Sequence, residues 1–367
     1  MSKAYLGAVR VPLIPSKLLR IAIIIIILYI YGIGAIFGLA TFKYDKSSGK
    51  NKINPILQIW CIFVTICLIV LYPYVALQLE VDKRINFSLS STEGLLSAAQ
   101  VLMKYISLIL VYIMNFVRGN DSKNIMNGNL ELQDIAVNYM TNQSEKLMWS
   151  LVIQFYRKVF ILTVLALIFG FLYTRELNNI YDTSSIGYSC FIFFYPYCIQ
   201  TFIANIFYLG LLRTQVYIKT INQIIEKITQ EMKDIGTLSR FHKIRKICEK
   251  SDILDDLCAF HFKVCDMMKK LNSVYAAQML IFVAIVFLNS LAQLFYLYMT
   301  IKMNLKEQYK ANWSISVYSI MYAYFQYVDL FFHAKSSMET MHENLRTGRL
   351  LHSIPSVHID GRLKKSV

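Results

Sequence analysis

The sequence predicts an all-α, polytopic membrane helix bundle with a cytoplasmic N-terminus, about six spans and an N-terminal interfacial or re-entrant helix. Three observations predict it. Of the 367 residues, 56% are hydrophobic and only 17% charged, whereas soluble domains average about 45–50% apolar and about 25% charged. The apolar residues are gathered into long runs, which excludes a soluble enzyme, a disordered regulator and an outer-membrane barrel with its short alternating strands. The basic residues are unevenly distributed between the loops, as topology requires.

Seven runs are visible: Ile21–Thr41, Ile56–Leu77, Leu96–Val117, Leu151–Tyr173, Tyr188–Leu212, Ser273–Met299 and Trp313–Phe332. Each is long enough to cross a hydrocarbon core of about 30 Å as a helix. Only helices satisfy the backbone in lipid over such lengths. The first run is ambiguous on length alone, and charge bears on it. If it spans, 27 Lys and Arg fall inside and 10 outside. If it is interfacial or re-entrant, 31 fall inside and 6 outside, with Lys104 within a run. The second partition fits the positive-inside rule better. Residues 1–55 then form a cytoplasmic N-terminal segment and 56–212 hold transmembrane helices one to four. Residues 213–271 form a cytoplasmic helical extension, 272–334 hold helices five and six, and 335–367 form a cytoplasmic tail.

Each loop feature has a plain expectation. Asn86-Phe87-Ser88 is a sequon in an expected outer loop, so Asn86 is the candidate glycosylation site. The seven cysteines avoid the outer loops and imply no disulfide framework. Cys258, His261 and Cys265 share a helix face but lack a fourth ligand, so the sequence implies no metal and no cofactor. No nucleophile–base pair or paired carboxylates stand out, so the chain reads as a non-enzyme. Loop 213–271 is basic, with an apolar stripe at Val216, Ile221, Ile224, Ile225, Ile228 and Met232. It reads as helices continuing from the spans and attracted to anionic membrane lipids, not as a nucleic-acid interface. Gly34 and Gly38 have the small-xxx-small spacing that permits close helix approach.

Polar residues inside spans are costly without partners and are the candidate ligand-binding positions. Asn289, Gln293 and Tyr296 share one face of the fifth helix. Tyr318 and Tyr322 share a face of the sixth with Phe325 and Asp329. Aromatic walls with a few amides suit a small organic ligand. Asp329 and His333 are expected near the cytoplasmic end, paired with Lys335 or lipid headgroups, and Lys104 is expected to snorkel outward.

The seven-run count also fits a G-protein-coupled receptor, with an extracellular N-terminus. Against that, the third run exits through Asn115-Phe116-Val117-Arg118-Gly119 without an acidic-Arg-Tyr switch, and the last two runs contain no proline.

Three stretches resemble insect gustatory receptors. Gly38-Leu39-Ala40-Thr41-Phe42-Lys43-Tyr44-Asp45 is similar to the Gly-Leu-x-x-Phe-x-x-Asp stretch before that family's first span. Asn272-Ser273-Val274-Tyr275-Ala276-Ala277-Gln278-Met279-Leu280 resembles the opening of its fifth helix. Glu343 to His352, with Thr347 and Leu350-Leu351, resembles the segment between its sixth and seventh helices. The resemblance implies a gustatory chemoreceptor subunit of the plasma membrane, a ligand-gated cation channel for small-molecule tastants. It implies assembly as a homo- or hetero-tetramer with other receptor subunits, through the extension 213–271, and a ligand pocket in the region of the candidate residues. The family's Thr-Tyr, five apolar residues, Gln-Phe signature of the seventh helix is absent, so the chain is expected to stop before that pore-lining helix. A chain without it is expected not to conduct by the family's mechanism, which leaves a structural partner subunit as the other reading.

Overall fold

The computed structural model of the chain describes residues 17–45, 47–81, 92–139, 142–180, 186–233, 240–305 and 313–354. Helix α1 (Lys17–Ile36) leads into a hairpin of β1 (Phe42–Asp45) and β2 (Lys50–Ile53), followed by α2 (Pro55–Val81), α3 (Thr92–Val117) and α4 (Gly119–Asn138). Helix α5 (Asn142–Tyr156) passes through a π-helical stretch, Arg157–Thr163, into α6 (Val164–Ile180). The short α7 (Ile186–Ser189) passes through a second, Cys190–Phe194, into α8 (Tyr195–Lys233). Two long helices close the fold, α9 (Arg240–Leu305) and α10 (Trp313–His352). The strands pair antiparallel with Phe42 opposite Ile53 and Asp45 opposite Lys50.

Five of the described helical segments are long and apolar enough to cross a membrane: Pro55–Gln78, Gly94–Val117, Glu145–Glu176, Gly187–Lys233 and Phe241–Met299. Their outward side chains, such as Ile59, Ile66, Ile153 and Leu294, are exposed apolar residues awaiting lipid. The expected sixth span, Trp313–Phe332, lies within α10 and is not among the five. It packs against α6, α8 and α9 and carries a polar stripe on that side, so its mean hydropathy is lower. A helix enclosed by protein does not need the hydropathy of one facing lipid.

Helix α1 is amphipathic in a different sense. Leu18, Ile21, Ile25 and Leu28 recur at helical spacing and stay exposed, while Leu19 and Ile26 are buried in a cluster with Leu151, Phe155, Tyr208 and Leu212. The chain turns at Gly38, whose φ is +70°, and comes back to the hairpin. A second cluster, around Cys61, Leu68, Tyr72, Leu108, Tyr112 and Ile199, joins α2, α3 and α8.

The far ends of the long helices, beyond Gly210 and before Leu271, make a third core. Ile218, Ile221, Ile225 and Ile228 of α8 pack with Leu254, Leu257, Phe260 and Val264 of α9, with Leu132 and Ala136 of α4, and with Ile354. The stripe expected from Val216 to Met232 is thus the buried side of α8. Residues 335–352, expected as a tail, continue α10 without a break, and Leu350 and Leu351 pack on this core. The start of α9 lies 33 residues, about 50 Å of helix, before Ser273.

At the crossing of α8 and α9, a Cβ on Gly210 would lie 2.6 Å from Leu271 Cδ2. Gly210→Ala is therefore expected to lower stability by about 1–3 kcal/mol through overpacking. Thermal unfolding of the detergent-purified chain checks it, and adding Leu271→Ala should recover much of the loss.

Candidate functional site

The expected ligand residues do not converge as one cluster. Asn289 of α9 is buried and turns to α3, where Gln100 Nε2 donates to its Oδ1 at 3.4 Å; its own Nδ2 has no partner among the described residues. Gln293, one turn on, turns instead to α10, where Ser319 Oγ donates to its Oε1. Tyr318 and Tyr322 face α6 and α8. The Tyr322 ring meets Tyr197 edge-on at 5.3 Å, and the Tyr318 ring lies 6.4 Å from Phe169. Gly170 of α6 makes room for Tyr322, since a Cβ there would sit 3.1 Å from its ring. Tyr296 is on α9, but its side chain lies outside the described residues, as does Asn86 altogether. The arrangement is an aromatic wall of α6, α8 and α10 beside an amide group shared by α3, α9 and α10.

Deeper along α10 the structure builds a polar cluster that spacing alone does not reveal. Lys158, in the first π-helical stretch, is fully buried, and its Nζ lies 2.8 Å from Asp329 Oδ1 and 2.6 Å from Asn205 Oδ1. Asn205 Nδ2 donates to the Tyr29 hydroxyl of α1 at 3.3 Å. The Lys158 ammonium also stands 4.9 Å from the centre of the Tyr208 ring, a cation–π distance. His333 is enclosed by the rings of Phe207, Tyr208 and Phe282. Neither Asp329 nor His333 reaches Lys335, which sits 3.9 Å from Glu339 instead. Both were expected at the membrane surface; enclosure by α8 and α9 buries them. Lys104 likewise does not snorkel. It is buried with its ammonium 4.7 Å from the centre of the Phe193 ring.

These residues belong to a longer pattern. Ser319, Tyr322, Gln326, Asp329, His333, Ser336, Thr340, Glu343 and Thr347 follow one another at alternating steps of three and four, the spacing of a single helix face. Tyr322 apart, all are conventional polar residues, and the stripe runs the length of α10 on its enclosed side. At its far end the partners are complete. Gln215 Nε2 donates to Glu339 Oε2 at 2.7 Å beside the stripe, Asn222 Nδ2 donates to Glu343 Oε2 at 3.0 Å, Thr347 Oγ1 donates to Asn222 Oδ1 at 2.7 Å, and Arg346 pairs with Glu226. In the spanning half they are not. Both amide atoms of Gln326, both ring nitrogens of His333 and the Ser336 hydroxyl are buried without a hydrogen-bond partner among the described residues. Asp329 faces Lys158 as an ion pair, with neither oxygen in hydrogen-bonding alignment. Unsatisfied buried groups cost about 1–3 kcal/mol each, and such a concentration marks a place where water, a ligand or movement supplies the missing partners.

A membrane helix bundle with a half-satisfied polar face along one enclosed helix is the setting in which the comparison with known proteins is informative. The profile of the 7tm Chemosensory receptor family matches residues 27–367. The chain belongs to that family. No curated protein matches it. At this level the chain is a chemosensory membrane receptor, and its family is one of receptors, not of enzymes.

Proposed function

We propose that this chemosensory receptor is a gustatory-type subunit of a ligand-gated cation channel in the plasma membrane, opened by a small organic tastant. The observation that carries the proposal is the polar face of α10. It starts at Ser319 and Tyr322, beside the Gln293 amide of α9, and ends in the Asn222–Glu343–Thr347 network. A ligand that repartners the first group can shift α10 against α8 and reach the second. Such a displacement biases a two-state element from both ends, which is the physical requirement for gating.

The orientation that accompanies this reading places the N-terminus, the β-hairpin and α4 in the cytoplasm. The loop charges support it, as does the course of α1. Leu19 shares a cluster with Leu151 and Leu212, while Gly38 packs against Cys61, six residues after Pro55, about 9 Å of helix. A segment that shares a cluster with Leu212 and turns back at that depth favours the re-entrant reading over the extracellular N-terminus of a G-protein-coupled receptor.

Gln326→Leu tests the functional reading. Gln326 is 1% exposed with no partner in hydrogen-bonding geometry; the Tyr322 phenol, one turn away, is its near polar neighbour. Removing an unsatisfied amide is expected to leave the chain at least as stable, because the burial penalty of about 1–3 kcal/mol goes with it. Calcium imaging of cells given sugars and bitter compounds should nevertheless show a reduced response. An unchanged dose–response curve at equal surface expression would remove this face from the signalling path.

A further inference from the structure

We infer that the β-hairpin between α1 and α2 is a docking surface for the phosphate headgroups of anionic phospholipids in the inner leaflet. The inference rests on the orientation proposed above. The hairpin's two faces divide by chemistry. Phe42, Tyr44, Asn51 and Ile53 alternate with Lys43, Asp45, Lys50 and Lys52, and successive strand residues point to opposite faces. The first face is docked. The Phe42 ring lies 5.9 Å from Tyr31, and buried Asn51 accepts a bond from the Tyr31 hydroxyl at 2.9 Å. The Asn51 backbone N–H donates to Asn127 Oδ1 of α4 at 2.7 Å, and Asn127 Nδ2 returns a bond to the Asn51 carbonyl at 3.2 Å. The hairpin is therefore held in place by α1 and α4.

The second face carries the charge. The register sets Lys43 directly opposite Lys52, and like charges facing each other across two strands are destabilising. Asp45 is the carboxylate on that face and holds Lys52 at 2.6 Å; its acid is pushed well below the usual carboxylate range by Lys52 and the Ser47 and Ser48 hydroxyls. A second carboxylate that feels this face is Glu131 of α4, which is engaged by Lys263 at 2.6 Å. In sequence, residues 42–53 hold four lysines to one aspartate. Among the described residues, this excess of cations is not matched by carboxylates, which calls for anions from outside.

The location selects which anions. Asn54 alone separates β2 from α2, whose first turns expose Ile56 and Ile59, at 74% and 67%, as lipid-facing side chains. Lys52 is four residues from Ile56, at most about 14 Å of extended chain, so its ammonium reaches the headgroup layer. The basic start of α9, by contrast, is too far along its helix to do so. Each lysine near an anionic leaflet strengthens association about fivefold.

The full chain, reconstituted in nanodiscs of equal phosphatidylcholine and phosphatidylserine and released for native mass spectrometry, provides the test. The parent chain is expected to retain phosphatidylserine preferentially. Lys43→Gln, Lys50→Gln and Lys52→Gln together should lower that ratio at least threefold, while the three Lys→Arg changes and the pair Arg245→Gln and Lys246→Gln should not. An equal ratio for the parent, or a triple glutamine variant that keeps the parent's ratio, overturns the lipid surface. Because the lysines are exposed, all variants should elute as the parent does, and the arginine variant reports on folding independently. Orientation is read separately from Ser47→Cys in cells. Labelling by an impermeant maleimide only after permeabilisation supports the inner leaflet, and labelling of intact cells overturns the orientation and, with it, the proposed leaflet.

Discussion

Replacing Lys158 with methionine is expected to destabilise the receptor by about 3–5 kcal/mol, because it strands a buried carboxylate. Asp329 loses the ammonium at 2.8 Å, and neither of its oxygens has a hydrogen bond to fall back on. The converse change, Asp329→Leu, strands Lys158 with the Asn205 amide oxygen at 2.6 Å and the Tyr208 ring. Those partners soften the loss without replacing the counter-charge, so its cost should be the smaller of the two. The double variant should recover most of the stability, since two apolar groups of similar size can take the place of a buried ion pair at little or no cost. Thermal unfolding in detergent checks the cycle, and the coupling between the two positions should exceed about 2 kcal/mol, near the top of the range for interacting neighbours. If the single losses simply add, the pair is not an energetic unit.

The double variant carries a second consequence. The pair ties the π-helical stretch after α5 to α10, and Asn205 extends the tie to Tyr29 of α1. A π-helical turn shifts the faces of the helix that follows, and here Phe155, Lys158 and Val159 are all buried. With the tie replaced by apolar packing, α10 is free to adopt a different resting position, so response threshold and stability should separate in that variant.

The spans of α2, α3 and α5–α6 were legible because lipid-facing helices must be apolar along their whole length, and the buried side of α8 was legible from Val216 to Met232. Two elements were not. Helix α4 holds several asparagines and little apolar surface beyond Ile125, Leu132 and Ala136, so its period is faint until α8 and α9 cover it. The continuation of α10 past Phe332 resembles a tail, because its inner side is polar and bonds to α8 through Glu339, Glu343 and Thr347, while its apolar residues Met338, Met341 and Leu345 are exposed. At the site, spacing correctly put Asn289 and Gln293 on one helix face, yet it says nothing about neighbours, and one turns to Gln100 while the other turns to Ser319. Asp329 stood out among the polar residues of its run, whereas Lys158, near the start of an apolar run and beside Arg157, did not. Each needs a partner, and their mutual pairing was the inference available from sequence. It was obscured because Asp329 has His333 and Lys335 close by on its own helix.

Gly38→Val is expected to cost about 3 kcal/mol or more, from a left-handed backbone forced on a branched residue together with overpacking. With φ at +70°, this position disfavours any side chain, and a Cβ would lie 3.2 Å from Val64 Cγ2 and 3.5 Å from the Cys61 Cα. The turn has little room to relax. Leu39 and Ala40 donate backbone N–H bonds to the Gly34 carbonyl at 2.7 and 2.9 Å. The Phe37 carbonyl accepts from Tyr112 at 2.6 Å and the Leu39 carbonyl from Asn115 Nδ2 at 2.7 Å. Gly32 supplies the control. It lies within α1, and a methyl group added there would meet nothing within 4 Å, so Gly32→Ala should stabilise the chain by about 0.5–1 kcal/mol through helix propensity. Opposite signs at two glycines six residues apart would show that α1 tolerates side chains until the chain must turn. Equal and small effects would mean that the turn at Gly38 does not set the return of α1. Because the hairpin lysines hang from that return, Gly38→Val should also weaken the preference for phosphatidylserine in whatever fraction still folds, whereas Gly32→Ala should leave it intact.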